Sequence, residues 1–403
     1  MEKFIINDPE KLLKERKQIV DDVARGKKPF RIPVCSQSRA FPMLDAGYSL
    51  VEAFSDYDKT YNATMRFQEM YNFDLYTGAT RFSYPVTEKL GGGGLIIDNE
   101  KGVINYVDEI LIEDGEYDEF IQKGVQRFLF EKCLPRKYGL GKEYHDTQIQ
   151  MIVSAMKEQA VLDKVNAKIS KDFKEKLGVG RSTNASPAFY KTPIDTIETN
   201  LRGLRKFAID MRKLPYEKMM EILKVCDNNG LEGALKRIEN CDMTADDVMY
   251  QSATTSTTSW QLSAKQYEKF DWPFIKPFFD KVVETNGTCL IFPEGGFKHL
   301  MDFYRDLPAG HFTLLAEVGD LQELKELSDQ LPNLSIMGGM STYLLGHSDA
   351  KTCVDRAKEV IDTLCRDGKF IFSTDKMLST PQDAISENLR AVNEFVFEYG
   401  VYK

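Results

Sequence analysis

Hydrophobic and polar positions alternate most regularly in the last third of the chain. Short apolar runs rich in β-branched or aromatic residues recur at Thr288–Phe292, Phe312–Ala316, Leu334–Met337 and Lys369–Phe372. Each is followed by a polar turn and then a helical period, so each reads as a strand leading into a helix. The clearest helix spans about Ala350 to Cys365, with Val354, Ala357, Val360, Ile361 and Leu364 on one face. Gly368 stops it. A last helix is expected from Ser379-Thr-Pro-Gln-Asp, with Pro381 in its first turn and Ile385, Leu389, Val392 and Val396 as its stripe. Strands that alternate with helices predict a parallel sheet.

Upstream, an amphipathic helix at Pro9–Val23 precedes an apolar run at Phe30–Cys35, and a helix at Tyr57–Tyr71 precedes another run at Phe73–Tyr76. Both runs read as strands of further βα units. Leu95–Asp98 and Gly102–Tyr106 read as a small antiparallel hairpin. Residues from about 118 to 185 form a mostly helical insertion that ends in a Gly-Val-Gly-Arg-Ser-Thr-Asn-Ala-Ser-Pro loop. Helices resume at Pro193–Arg212 and Pro215–Ile238. The Ser/Thr run at 252–259 reads as a polar lid or rim loop. There is no internal repeat.

The chain has 403 residues, 42% of them hydrophobic, and 53 Lys+Arg against 62 Asp+Glu for a formal charge of −9. That composition excludes a disordered, collagenous or disulfide-scaffold protein. An acidic balance without a Lys/Arg block argues against nucleic acid or an anionic membrane as the main partner. Seven scattered cysteines without a C-x-x-C pair read as reduced thiols. With no secretory leader and no apolar stretch near the roughly 18 residues of a membrane span, a cytoplasmic protein is expected.

In a parallel α/β barrel the reacting groups lie at the C-terminal ends of the strands. Those ends carry Glu294 in Pro293-Glu-Gly-Gly, Glu317 in Glu-Val-Gly-Asp, Gly338-Gly-Met-Ser-Thr, and Asp375 in Ser373-Thr-Asp-Lys. Three carboxylates directed into one mouth repel one another unless a proton or a cation holds them, so an acid/base pair or a metal is expected. Each alone could equally cap the helix that follows it. The four histidines, His145, His299, His311 and His347, show no zinc-binding spacing. His347 is an outside candidate for the mouth. Gly91–Gly94 reads as a turn, since no Lys-Ser/Thr and no helix follows it.

Four segments carry a family resemblance: Ile336-Met-Gly-Gly-Met-Ser-Thr-Tyr-Leu-Leu-Gly-His, Val354 with Ala357-Lys-Glu-Val-Ile-Asp, Gly368-Lys-Phe-Ile-Phe-Ser-Thr-Asp, and Thr380-Pro with Glu387-Asn-Leu-Arg-Ala. In order and spacing they resemble the uroporphyrinogen decarboxylase superfamily, which also contains cobamide-dependent methyltransferases. Further similarity lies in Leu262–Lys276, Leu201-Arg-Gly with Asp210-Met-Arg, and Ile32-Pro-Val-Cys with Arg39. The resemblance implies one (β/α)8 barrel over residues 1–403, decorated by N-terminal and helical insertions.

The decarboxylases' R-Q-A-G-R segment, whose arginines bind substrate carboxylates, is Ser36-Gln37-Ser38-Arg39-Ala40 here, and their catalytic aspartate falls near Thr80-Arg81. The methyltransferases that serve coenzyme M hold zinc with an H-x-C pair and a distant cysteine, where this chain has Phe292-Pro293-Glu294 and Asp375. The resemblance is therefore greatest to superfamily enzymes that demethylate aryl methyl ethers. It implies a methyl group moving to the cobalamin of a separate corrinoid protein, with Glu294 and Glu317 catalytic. Glu294, Glu317 and Asp375 are the implied ligands of Zn²⁺. Gln37, Arg39, Tyr76, Arg81 and Tyr250, near other expected strand ends, are candidates to line the substrate pocket, although aromatic residues at such places are more often core. A small-molecule methyl donor and a homodimer are the other expected partners. A tetrapyrrole decarboxylase and a non-catalytic barrel are the alternatives.

Overall fold

The computed structural model describes residues 2–77, 83–92, 95–139, 146–181, 186–365 and 367–402. Six strands form one parallel sheet: β5 (Ala188–Tyr190), β6 (Ser252–Ser256), β7 (Cys289–Pro293), β8 (Phe312–Leu315), β9 (Ser335–Met340) and β10 (Phe370–Thr374), in the order β10-β9-β8-β7-β6-β5. Two more, β1 (Cys35–Gln37) and β2 (Leu75–Thr77), pair in parallel. Parallel bridges Val34↔Phe372 and Ser38↔Leu378 join β1 to the free edge of β10. Eight parallel strands thus run in the order β2-β1-β10-β9-β8-β7-β6-β5.

They surround a single interior. Cys35, Leu75, Ala253, Leu290, Phe292, Leu315, Met337 and Ile371 share one apolar cluster, against which Phe189 of β5 also packs. Their neighbours Cys289, Ile291, Phe312, Leu314, Ile336, Phe370 and Phe372 face outward into a second cluster, which includes the surrounding helices. That is the inside/outside alternation of a (β/α)8 barrel.

The N-terminal helix α1 (Pro9–Ala24) starts where Asp8 accepts a hydrogen bond from the Lys11 N–H at 3.0 Å and Pro9 takes the first turn. Its buried stripe, Leu13, Ile19, Val20 and Val23, belongs to the interior cluster, so α1 closes the end of the barrel away from the strand C-termini. Arg16 on the same face is fully buried. It bonds Asp74 at 3.2 Å and the carbonyls of Leu177 and Gly178 at 2.7 and 3.0 Å. Arg31 holds the other side of Asp74 at 2.6 and 2.7 Å, which keeps this buried carboxylate ionised.

The antiparallel hairpin β3 (Leu95–Asp98) and β4 (Val103–Tyr106) forms as expected. Helices at Tyr57–Tyr71, Asp146–Leu177 and Ala350–Leu364 also follow the sequence pattern closely. Three expectations are corrected and one strand is added. The first strand begins at Cys35, because the Pro33 carbonyl already accepts from Phe372 and Pro33 itself has no N–H to give a ladder. The Ser/Thr run is strand β6 as far as Ser256, buried between β5 and β7, where β-branched threonine suits a pleated strand. Ala188–Tyr190 is a strand that three residues gave no period to reveal. The last helix begins at Ser386, because the Asp383 carboxylate takes the Ser379 and Thr380 N–H groups at 2.7 and 2.8 Å and holds 379–383 as a turn. Among the described residues no helix is long and apolar enough to cross a membrane.

Candidate active site at the barrel mouth

Period 2 places the mouth residues. Leu290 and Phe292 point inward on β7, so Glu294 does too; Leu315 carries Glu317, Ile371 carries Ser373 and Asp375, and Cys35 carries Gln37 and Arg39. Glu294 is pinned by its backbone, which donates to the Ser256 carbonyl of the neighbouring strand at 2.8 Å. Its carboxylate accepts from Arg39 Nη2 at 3.1 Å, a contact that crosses the mouth from β1 to β7. Arg39 also turns its Nε to the Met377 sulfur at 3.1 Å.

Glu317 accepts the Gly295 N–H at 3.1 Å. Burial is the main cause that raises both glutamate pKa values. For Glu294, Arg39 opposes the rise while Glu317 and Asp195 add to it; for Glu317, the Gly295 N–H and Arg39 oppose it and Asp375 adds to it. A rise in this direction favours the protonated form of each carboxyl.

Asp375 has a different occupation. Its Oδ1 accepts from the Thr342 N–H at 3.0 Å and the Thr342 hydroxyl at 2.8 Å, so it holds the start of the helix Thr342–His347. Gln37 is fully buried. Its Nε2 donates to Ser373 Oγ at 3.1 Å and the Thr374 carbonyl at 2.8 Å, stitching β1 to β10 just beneath Arg39.

Two expected pocket residues lie elsewhere. Tyr76 follows the inward Leu75 and therefore faces outward, packed edge-on against Phe173. Tyr250 precedes β6 and sits in the interior near the closed end, its hydroxyl 2.9 Å from Thr313 Oγ1. Neither reaches the mouth. His347 ends its helix on the surface, its ring tilted against that of Tyr343. Arg81 and His145 lie outside the described residues.

The strand missed in the sequence, β5, brings residues that the pattern did not reveal. Lys191 follows it and pairs with Asp195 at 3.2 Å; the other Asp195 oxygen accepts the Thr257 N–H at 2.9 Å. Asp195 and Glu198 are both buried. Among the described residues, three bases at this end are engaged: Arg39 with Glu294, Lys191 with Asp195, and Lys376 with Asp383 at 3.0 Å.

A zinc ion needs three or four donors converging at about 2.0–2.2 Å. Among the described residues no three His, Cys, Asp or Glu side chains are so grouped. Arg39 already supplies positive charge to Glu294, and Asp375 is committed to Thr342. As arranged, these side chains do not fit a zinc site.

Fold and mouth together define a (β/α)8 barrel protein with a carboxyl-rich cleft at its strand C-termini, the position such barrels use for chemistry. Residues 240–399 match the sequence profile of the family "Uroporphyrinogen decarboxylase (URO-D)". No curated protein sequence matches the chain. Among solved structures, a methyltransferase from Methanosarcina mazei is similar with a TM-score of 0.58 at 13% identity, covering 95% of this chain and 98% of that one. A B12-independent methionine synthase from Shewanella sp. W3-18-1 aligns over 52% of this chain and 61% of its own, with a TM-score of 0.31 at 13% identity. At 13% identity the likeness to the Methanosarcina protein is one of fold.

Proposed function

We propose that the chain is a methyltransferase of this superfamily, which moves a methyl group from a methoxylated donor, such as an aryl methyl ether, to the reduced cobalamin of a separate corrinoid protein. The observation that carries this reading is that Arg39, Lys191 and Lys376, the bases described at the mouth, are each paired with a carboxylate, beside two glutamates with raised pKa values. A polycarboxylate tetrapyrrole needs free cations. A methyl ether is uncharged, and its oxygen needs a proton to leave as a hydroxyl.

On this reading Glu294 gives its proton to the ether oxygen as the methyl group departs, and Arg39 steadies the carboxylate that remains. Glu317, held by the Gly295 N–H, adds to the rise of the Glu294 pKa and so favours the proton that Glu294 gives. The partner's cobalamin supplies the nucleophile.

The test is single-turnover methyl transfer, followed by the visible spectrum of a purified corrinoid protein mixed with the chain and a methoxylated aromatic. Glu294→Gln should lower kcat by about 10²-fold or more, the usual contribution of a general acid. Demethylation at the wild-type rate by the variant would overturn the role of Glu294. Release of CO₂ from uroporphyrinogen, with no methyl transfer, would replace this reading with the decarboxylase. Elemental analysis of the same preparation tests the zinc implied by the family resemblance: about one zinc per chain, lost in Glu294→Ala, would require Arg39 to leave Glu294 when metal binds.

A further inference from the structure

The loop that leaves β6 at the mouth carries Trp260, one of two tryptophans in the chain, in the single 3₁₀ turn Ser259–Gln261. Apolar side chains exposed one at a time are ordinary. Trp260 differs because it is 52% exposed and yet held at several points. Its indole N–H donates to the Thr257 carbonyl at 3.0 Å. Thr257 is anchored in turn, since its N–H donates to Asp195 Oδ1 at 2.9 Å and its hydroxyl donates to the same oxygen. The Ser259 N–H donates to Ser256 Oγ, at the end of β6, at 3.1 Å.

The anchor is internal. Asp195 is fully buried, beside two further buried carboxyls. Burial above all, helped by the charge of Asp195, pushes Glu198 up to about 8 and Asp271 up to about 7, the latter in an enclosed cavity that it shares with Tyr267 and Tyr304. A turn tied to such a residue keeps its place when solvent moves around it.

The indole also touches the loop after β7. A Cβ placed on Gly295 would lie 3.2 Å from the indole Cδ1 and 3.3 Å from its Cγ, tighter than side chains ordinarily pack, and the φ of Gly295 is +75°, so glycine is required here. This glycine follows Glu294 and donates its N–H to Glu317 at 3.1 Å. One residue therefore joins the indole to both glutamates of the mouth. An aromatic side chain held in this way has already lost its rotamer freedom, while about half of it stays wet. A flat ring that covers it gains the burial and the stacking without paying again to order the indole.

We propose that Trp260 is the platform on which the ring of the methyl donor stacks, so that the site selects planar aryl ethers over saturated ones. The fate of the stacked ether rests on the methyl-transfer reading; the stacking does not. The donor ring lies offset on the indole, which leaves its methoxy group at the ring edge, beside the loop that carries Glu294. Trp260 takes no proton and forms no covalent bond. It is a specificity residue.

The probes are methoxybenzene and methoxycyclohexane, which match in heavy atoms and differ in the flatness and π-system of the ring. Binding of each to the full chain is measured by equilibrium dialysis and by quenching of tryptophan fluorescence, in wild type, Trp260→Leu, Trp260→Phe and Trp272→Phe. Methoxybenzene should quench wild type and Trp272→Phe but not Trp260→Leu. Trp260→Leu should weaken its binding about 3- to 10-fold, with much less effect on methoxycyclohexane, and Trp260→Phe should recover most of the loss. If Trp272→Phe does not fold, wild type and Trp260→Leu decide the matter. Absence of saturable methoxybenzene binding by wild type would overturn the platform, as would equal losses for both ethers in Trp260→Leu, or no loss for methoxybenzene. In the methyl-transfer assay Trp260→Leu should raise KM for methoxybenzene by the same factor with kcat nearly held. Stacking as expected without methyl transfer in wild type would fault the function and spare the platform, whereas transfer by Trp260→Leu at the wild-type KM would do the reverse.

Discussion

The buried carboxyl of Glu198 makes a quantitative prediction about stability. In the unfolded chain it titrates near its model value of 4.5, and in the fold at about 8. Its folded pKa is raised, so the stability it contributes is fully present below about pH 4.5 and is lost as pH rises through about 8. Between those limits the folded state holds one proton that the unfolded state has released. Stability must then fall by about 1.4 kcal/mol for each pH unit. From about pH 5 to about pH 8 the contribution of this one group amounts to about 3 to 4 kcal/mol. Glutamine cannot ionise, so Glu198→Gln removes that slope while Asp271 retains its own. Urea denaturation at a series of pH values, followed by circular dichroism, should show wild type losing about 3 to 4 kcal/mol more than the variant over this range. Curves that run parallel within about 1 kcal/mol would refute the claim that Glu198 is neutral in the folded protein.

Two further perturbations act elsewhere. Asp74→Asn leaves the fully buried Arg16 without its carboxylate, and should cost about 3 to 5 kcal/mol in urea unfolding; a loss under about 1 kcal/mol would show that the carbonyls of Leu177 and Gly178 suffice for Arg16. Arg39→Met takes from Glu294 the cation that lowers its pKa. The alkaline limb of the methyl-transfer profile should therefore move up; a downward move would contradict the direction of the coupling.

Much of the mouth was legible because alternation carries inward direction along a strand. Phe292 leads to Glu294 and Leu315 to Glu317 by the same two-residue step, and both strands are apolar enough to be recognised. The same rule places Tyr76 outside, since Leu75 faces in, a distinction invisible until the direction of one residue on the strand is known. What could not be read came from strands without an apolar signature. Ser252–Ser256 is polar in composition, and Ala188–Tyr190 is too short for any period. With β5 unread, Asp195 and Glu198 belong to the helix expected at Pro193–Arg212, and Lys191 to the chain before it. Asp271 was hidden for the opposite reason: nothing distinguishes its aspartate from a surface one until Tyr267 and Tyr304 are seen to enclose it.

The helix that stops the closed end of the barrel also governs how the molecule comes together. Its backbone carbonyl at Val23 takes the Ser335 hydroxyl across 312 positions of chain, and its apolar face rests on Ile371 of the last strand. Each βα pair can begin to form from neighbouring sequence, but α1 has no finished surface to lie on until the final strand is in place. Contacts that distant close slowly, because the long loop between them must be ordered first. Leu13, Ile19, Val20 and Val23 are therefore a greasy stripe in search of a partner through most of folding, and the last step of assembly is one that seals the floor beneath the site.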